Sequence, residues 1–153
     1  MSFHQQSFNS RFASMGDEAE AVYDAIFPKS IPFGLNRPPF SMTGMTEEMK
    51  ATPDRMERLC FVECQGFGRD QILKLKPHKL NALTVWAEHI GPVDFFAWNR
   101  TEKLWYRSPL YMWRNAAARD GVLDNYHDGP AYLGLPVERF PTEGHPLPDH
   151  VEL

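Results

Sequence analysis

Cysteine is scarce. The 153-residue chain has two, Cys60 and Cys64. On one strand at that spacing they would sit about 13 Å apart, too far for a disulfide. They therefore read as small apolar core residues. The six histidines are scattered, without the spacing that gathers zinc ligands. No apolar run approaches the ~20 residues that cross a bilayer. The stretch from Met1 to Ser10 lacks both the basic start and the apolar core of a secretory signal. The expectation is a cytoplasmic protein with no membrane partner. A phosphate-binding loop is missing too, and Gly66-Phe67-Gly68 is too short for a dinucleotide fingerprint, so nucleotide hydrolysis has no support. Nor is there an excess of positive charge: the net charge is −4. Any nucleic-acid contact must come from a local cluster.

What is present is an ordinary folding complement, 42% hydrophobic and 13% aromatic, at the length of one domain. A helix is signalled by Ser14 as N-cap, with Asp17 in the capping-box position and Glu18 and Glu20 close behind. Ala19, Val22, Tyr23, Ile26 and Phe27 form its apolar stripe. Residues 28–49 are rich in Pro and Gly and suggest only a short strand around Phe40–Met42. Leu59–Gln65 reads as a strand closed by Gly66 and Gly68. Pro77 suits the first turn of a second helix whose core face is Leu80, Leu83, Trp86, Ala87 and Ile90, stopped by Gly91-Pro92. Val93–Trp98 is apolar on both faces, as a covered strand is. Lys103–Tyr106 returns as its hairpin partner, and 109–119 form a short helix. The tail is expected to be mostly loop, with a strand at Ala131–Leu135. The predicted organisation is an arm (1–12), a core domain (13–107) and a C-terminal helix with a Pro-rich extension packed on the core (108–153). The predicted fold is mixed α/β with a central sheet covered by helices.

Chemistry concentrates at one place. If 52–56 pair antiparallel with 59–65 around a Glu57-Arg58 turn, Asp54 faces Phe61 and Glu63 lies diagonally on the same face. Gln65 points the same way, while Cys60, Val62 and Cys64 point to the other side. Two buried carboxylates side by side are costly unless a cation neutralises them. Oxygen ligands of this kind suit Mg²⁺, with the Cys64 carbonyl as a third donor. A bound ion of that type activates water and stabilises phosphate charge. Downstream, Arg69, Lys74, Lys76 and Lys79 stand against a single acid, Asp70, and make the segment locally basic.

Other candidates are weaker. Tyr126-His127-Asp128-Gly129 has the composition of a turn. Trp98 and Trp105 read as core, Tyr111 and Trp113 as rings that could stack on bases, and Arg100 and Arg107 as cations near them.

The run Pro53-Asp54, nine residues, then Glu63-x-Gln65 resembles the PD-(D/E)xK nuclease superfamily, most nearly the archaeal-type Holliday junction resolvases and small phage-encoded relatives. Gly16-Asp-Glu-Ala-Glu20 matches the helix that precedes the Asp in those proteins, Lys74 through Trp86 the basic helix, and Pro92–Trp98 the later strand. The similarity spans roughly residues 12–107. It implies a restriction-endonuclease-like mixed sheet flanked by helices, hydrolysis of DNA with Mg²⁺ or Mn²⁺, and often a homodimer. Asp54 and Glu63 would be metal ligands, and Glu20 would complete the acidic group, with Glu18 as its rival. Arg69, Lys74, Lys76 and Lys79 would hold the DNA backbone. The departure is Gln65, where the superfamily has Lys. Gln65 would be a catalytic residue that positions water or the phosphate, since some active members tolerate Gln there, while others move that lysine to the next helix, a place Lys74 or Lys76 could fill. The alternative is a catalytically silent module of the same fold, binding nucleic acid or serving in a phage assembly.

Overall fold

The computed structural model describes residues 3–34, 41–127 and 129–152, with side chains from residue 15 onward. The first element, α1, runs Phe3–Ile26. It begins well before Ser14, because nothing between 3 and 15 is Gly or Pro to interrupt a helix once started. Ala19, Val22 and Tyr23 are buried along its inner face, with Ile26 and Phe27 packed beside them, as the stripe predicts.

The strands and helices that follow are β1 (Ile31–Pro32), α2 (Glu47–Lys50), β2 (Arg55–Glu57), β3 (Cys60–Phe67), β4 (Ile72–Leu75), α3 (Pro77–His89), β5 (Val93–Asn99), β6 (Leu104–Pro109), α4 (Leu110–Asp120), β7 (Val122–Asn125), β8 (Ala131–Pro136) and β9 (His145–Pro146). Among the described residues they build a six-stranded sheet in the order β1-β2-β3-β5-β6-β9, and a three-stranded sheet in the order β4-β8-β7. The large sheet is mixed: β3 and β5 run parallel, joined by a crossover through β4 and α3, and its other pairs are antiparallel. The fold is therefore mixed α/β, a central mixed sheet flanked by helices.

Period-two alternation in β3 sorts its side chains between two cores. Val62 and Cys64 join Phe96 and Trp98 under α1. Phe61 and Phe67 join Phe95 and Ala97 under Leu80 and Leu83 of α3 and Trp113 and Ala116 of α4. Both faces of β3 and β5 are covered, which explains why Val93–Trp98 is apolar throughout.

Several expectations need correction. Lys74 lies on a strand, because Leu73 and Leu75 are buried in alternation with it, and the helix starts only at Pro77. Ile90 lies at the end of α3 and is exposed, since the chain turns away there. Trp113 is fully buried, so it is a core ring and not a stacking surface. The C-terminal segment carries the expected strand, β8, and among the described residues two more, β7 and β9, where loop was expected. β8 is paired on one side with β7 and on the other with β4, which overlaps the start of the segment matched to the basic helix. Phe40 lies outside the described residues; Ser41 and Met42 carry no strand. No helix among the described residues is long and apolar enough to cross a membrane.

Candidate functional site

The β2–β3 hairpin sets the site. Arg55 pairs with Val62, Met56 with Phe61 and Glu57 with Cys60, so the turn falls at Arg58-Leu59 and Arg58 adopts a positive φ of 57°. That register is two residues away from the expected one. A shift of two keeps every side chain on its predicted face. Continued by one residue, it brings Asp54 opposite Glu63, not Phe61. Asp54 is the last residue before β2 begins, and its Oδ2 accepts a hydrogen bond of 2.8 Å from the Cys64 amide.

Glu63 is fully buried. Burial pushes its carboxyl up to about 8, an effect that Lys79 opposes and the charge of Asp54 reinforces. The ammonium of Lys79 forms an ion pair with Oε1 of Glu63. Burial by itself would lower the Lys79 amine; the charges of Glu63 and Asp54 outweigh it and raise it, so Lys79 keeps its proton. Lysine in the first turn of a helix opposes the helix dipole. Here Glu63 compensates, and α3 has no acid of its own in that turn.

Glu20 comes from α1 and ion-pairs with Arg55 at 3.0 Å. Its carboxyl is raised by burial first and by Asp54 next, with Arg55 opposing. Arg55 is also gripped by Asp24 at 2.8 and 3.0 Å, which ties α1 to β2. Glu18 points elsewhere: it accepts from the Trp98 indole at 3.2 Å and pairs with Arg100 at 2.9 Å. Of the two helix acids, Glu20 is the one beside Asp54. Arg107 is likewise occupied, by Glu57 at 2.7 Å and Asp94 at 2.9 Å.

A cleft of about 740 Å³ opens over this group. Glu20, Asp54, Cys64, Gln65, Arg69, Lys74, Lys76 and Lys79, all singled out from sequence, line it; Glu63 lies beneath its surface. One wall is the α1 segment at Met15, Gly16 and Asp17; the other is β4 and the β7–β8 turn at Tyr126. Gly66 makes the first wall. A Cβ there would come within 2.6 Å of the Met15 carbonyl oxygen, so only glycine lets helix and strand approach this closely. Its purpose is close approach, not a sharp turn at the strand's end.

The Gln65 amide donates to the Lys74 carbonyl at 2.8 Å and pins β4 to β3. Lys74 pairs with Asp70 at 3.1 Å and lies over the Tyr132 ring, and Lys76 lies over Tyr126. The lysine that reaches the acids is thus Lys79. Sequence reasoning placed it on the DNA backbone, and the signal that could have found it is its position two residues after Pro77, in the first turn of α3.

Asp54 and Glu63 are the residues that could hold a hard divalent cation: the charge of Asp54 raises the Glu63 carboxyl, and burial is the largest cause of that rise. Among the described residues no group of three or more His, Cys, Asp or Glu side chains is placed to hold a metal. Mg²⁺ takes one or two carboxylates from protein and keeps several waters, so the pair meets its usual requirement.

No family model matches the chain, and no curated protein matches it in sequence. Among solved structures it is similar to Hjc, a Holliday junction resolvase of the archaeal hyperthermophile Archaeoglobus fulgidus. The TM-score is 0.43 and the identity 16%, over 86% of this chain and 91% of that one.

Proposed function

We propose that the chain is a metal-dependent endonuclease of the PD-(D/E)xK type, hydrolysing phosphodiester bonds in branched or otherwise structured DNA. The observation that carries this reading is the hairpin register, which sets Asp54 opposite a buried Glu63 at the floor of a cleft rimmed by Arg69, Lys74 and Lys76. Asp54 and Glu63 would hold Mg²⁺ or Mn²⁺, with the Cys64 carbonyl as a further donor. Such an ion lowers the pKa of bound water and stabilises charge on a phosphate oxygen. Glu20, which lines the cleft beside Asp54, would orient the attacking water. Lys79 takes the place of the lysine that Gln65 lacks, bringing a fixed positive charge beside the acids. Gln65, with its amide committed to Lys74, acts by holding β4 against β3. Arg69, Lys74 and Lys76 would take backbone phosphates, and a homodimer would present two such clefts to a junction.

The test is cleavage of four-way, nicked and linear DNA in Mn²⁺ or Mg²⁺. Wild type is expected to cut, and Glu63→Ala and Lys79→Met to cut about 100-fold or more slowly. Equal rates for wild type and Glu63→Ala would dismiss the assignment.

One observation favours a second reading, the silent nucleic-acid-binding or assembly module. Lys79 already neutralises Glu63, so the buried carboxylate has a counter-ion without any metal. Calcium separates the two readings. It should raise the melting temperature of the enzyme through Asp54 and leave that of a silent module unchanged.

A further inference from the structure

The second sheet has no role in the hydrolytic group, yet it supplies one wall of the cleft. On that wall two lysine–tyrosine pairs stand side by side. Lys74 Nζ lies 5.6 Å from the centroid of the Tyr132 ring, and Lys76 Nζ lies 5.8 Å from that of Tyr126. The two rings are 4.7 Å apart, so Tyr126 is braced by Tyr132, which is itself buried and bonded to Asp124 at 3.2 Å. The braced ring, together with Lys74 and Lys76, faces the same space as Asp54 and Gln65.

We infer that Tyr126 is a stacking platform for an unpaired base, so that the cleft takes a single-stranded or splayed-out nucleotide. The inference rests on the nuclease reading for its ligand class and deepens it by naming the form of the strand. Three features lead to it. A space of about 740 Å³ accepts a nucleotide-sized group. The acids sit at its floor, with Glu63 recessed below the surface, so a phosphate must descend to reach them. A strand that descends past Lys74 and Lys76 brings its base against the wall where an aromatic ring stands. Cations that track the backbone beside a ring that takes the base are the two halves of single-strand recognition. The lysine ammoniums, now over the rings and in the case of Lys74 also paired with Asp70, are ends of long side chains and can exchange these partners for a phosphate oxygen. Stacking needs only the flat face that every base has, so it should tolerate any base.

The experiment measures binding in Ca²⁺, without turnover, to a short single strand, a blunt duplex and a duplex with a single-stranded flap. Wild type should prefer the single strand and the flap. Tyr126→Ala should weaken both roughly tenfold or more and leave the blunt duplex within about twofold, and Tyr126→Phe should bind as wild type. A fluorescent adenine analogue in the unpaired strand gives a readout on the wild-type protein itself: stacking should quench it on binding. Equal loss by Tyr126→Ala on all three DNAs, or no loss and no quenching, overturns the inference and leaves the nuclease reading standing. Absence of binding to every DNA overturns both.

Discussion

Glu63 carries the tension of the site. A carboxyl raised from its ordinary 4.5 to about 8 binds its proton more tightly in the folded chain than in the unfolded one. Between those two values the native state therefore holds more protons, and stability must fall as pH rises. One proton's difference gives a slope of up to ~1.4 kcal/mol per pH unit. In chelator, the unfolding free energy of wild type is expected to decline through this window more steeply than that of Glu63→Gln. Adding Mg²⁺ should flatten the wild-type curve, because the ion replaces the proton. Superimposable pH profiles for the two proteins would show that Glu63 is not buried as described. The same residue scale explains Gln65. Its amide is spent on a backbone carbonyl, and the positive charge beside Glu63 comes from Lys79 instead.

Among the elements, α1 and α3 approach β3 from opposite faces; α1 delivers Glu20 and Asp24 to the hairpin, and α3 delivers Lys79. The helix α1 can do so only because Gly66 gives it room, and Arg55 fastens it through Glu20 and Asp24. Gly66→Ala is expected to push α1 away from the strand at Met15. Overpacking of this kind costs ~1–3 kcal/mol, a fall of roughly 3–10 °C in melting temperature for a domain of this size. The displaced wall should also slow the proposed DNA cleavage, since Glu20, the acid proposed to orient water, moves with the helix. A variant with unchanged melting temperature and cleavage rate would show that the contact is not tight. The hairpin itself was legible in sequence as to which residues share a face, because a register error of two preserves parity. The turn position was not legible, since Glu57-Arg58 and Arg58-Leu59 are equally plain as sequence and the choice depends on what each register buries.

At the scale of the whole molecule, charge is sorted in space although the chain is acidic overall. Arg69, Lys74 and Lys76 gather on one rim of the cleft, while Arg55 and Arg107 are consumed by internal ion pairs. The rim is the surface proposed to meet phosphate, although Lys74 there also pairs with Asp70 at 3.1 Å. Reversing the charge of Lys74 and Lys76 together should weaken binding to every DNA and reduce the slope of log affinity against log salt by about one to two. An unaltered slope would remove the rim from the interface. Binding should weaken alike for paired and unpaired strands, which distinguishes this outcome from that of Tyr126→Ala.

The alternation of polar and apolar residues along 60–67, the apolar stripe of α1 and the doubly apolar run at 93–98 were enough to place the acids on one side of a covered strand and to anticipate a mixed α/β fold. These are local periodicities, and a chain carries them wherever it folds. Long-range pairing is different. That β4 leaves the main sheet to join β8, that Tyr126 swings to the cleft, and that Lys79 reaches Glu63 all depend on which distant segments bury each other. Such contacts are selected by the packing of the entire core, so no window of sequence contains them.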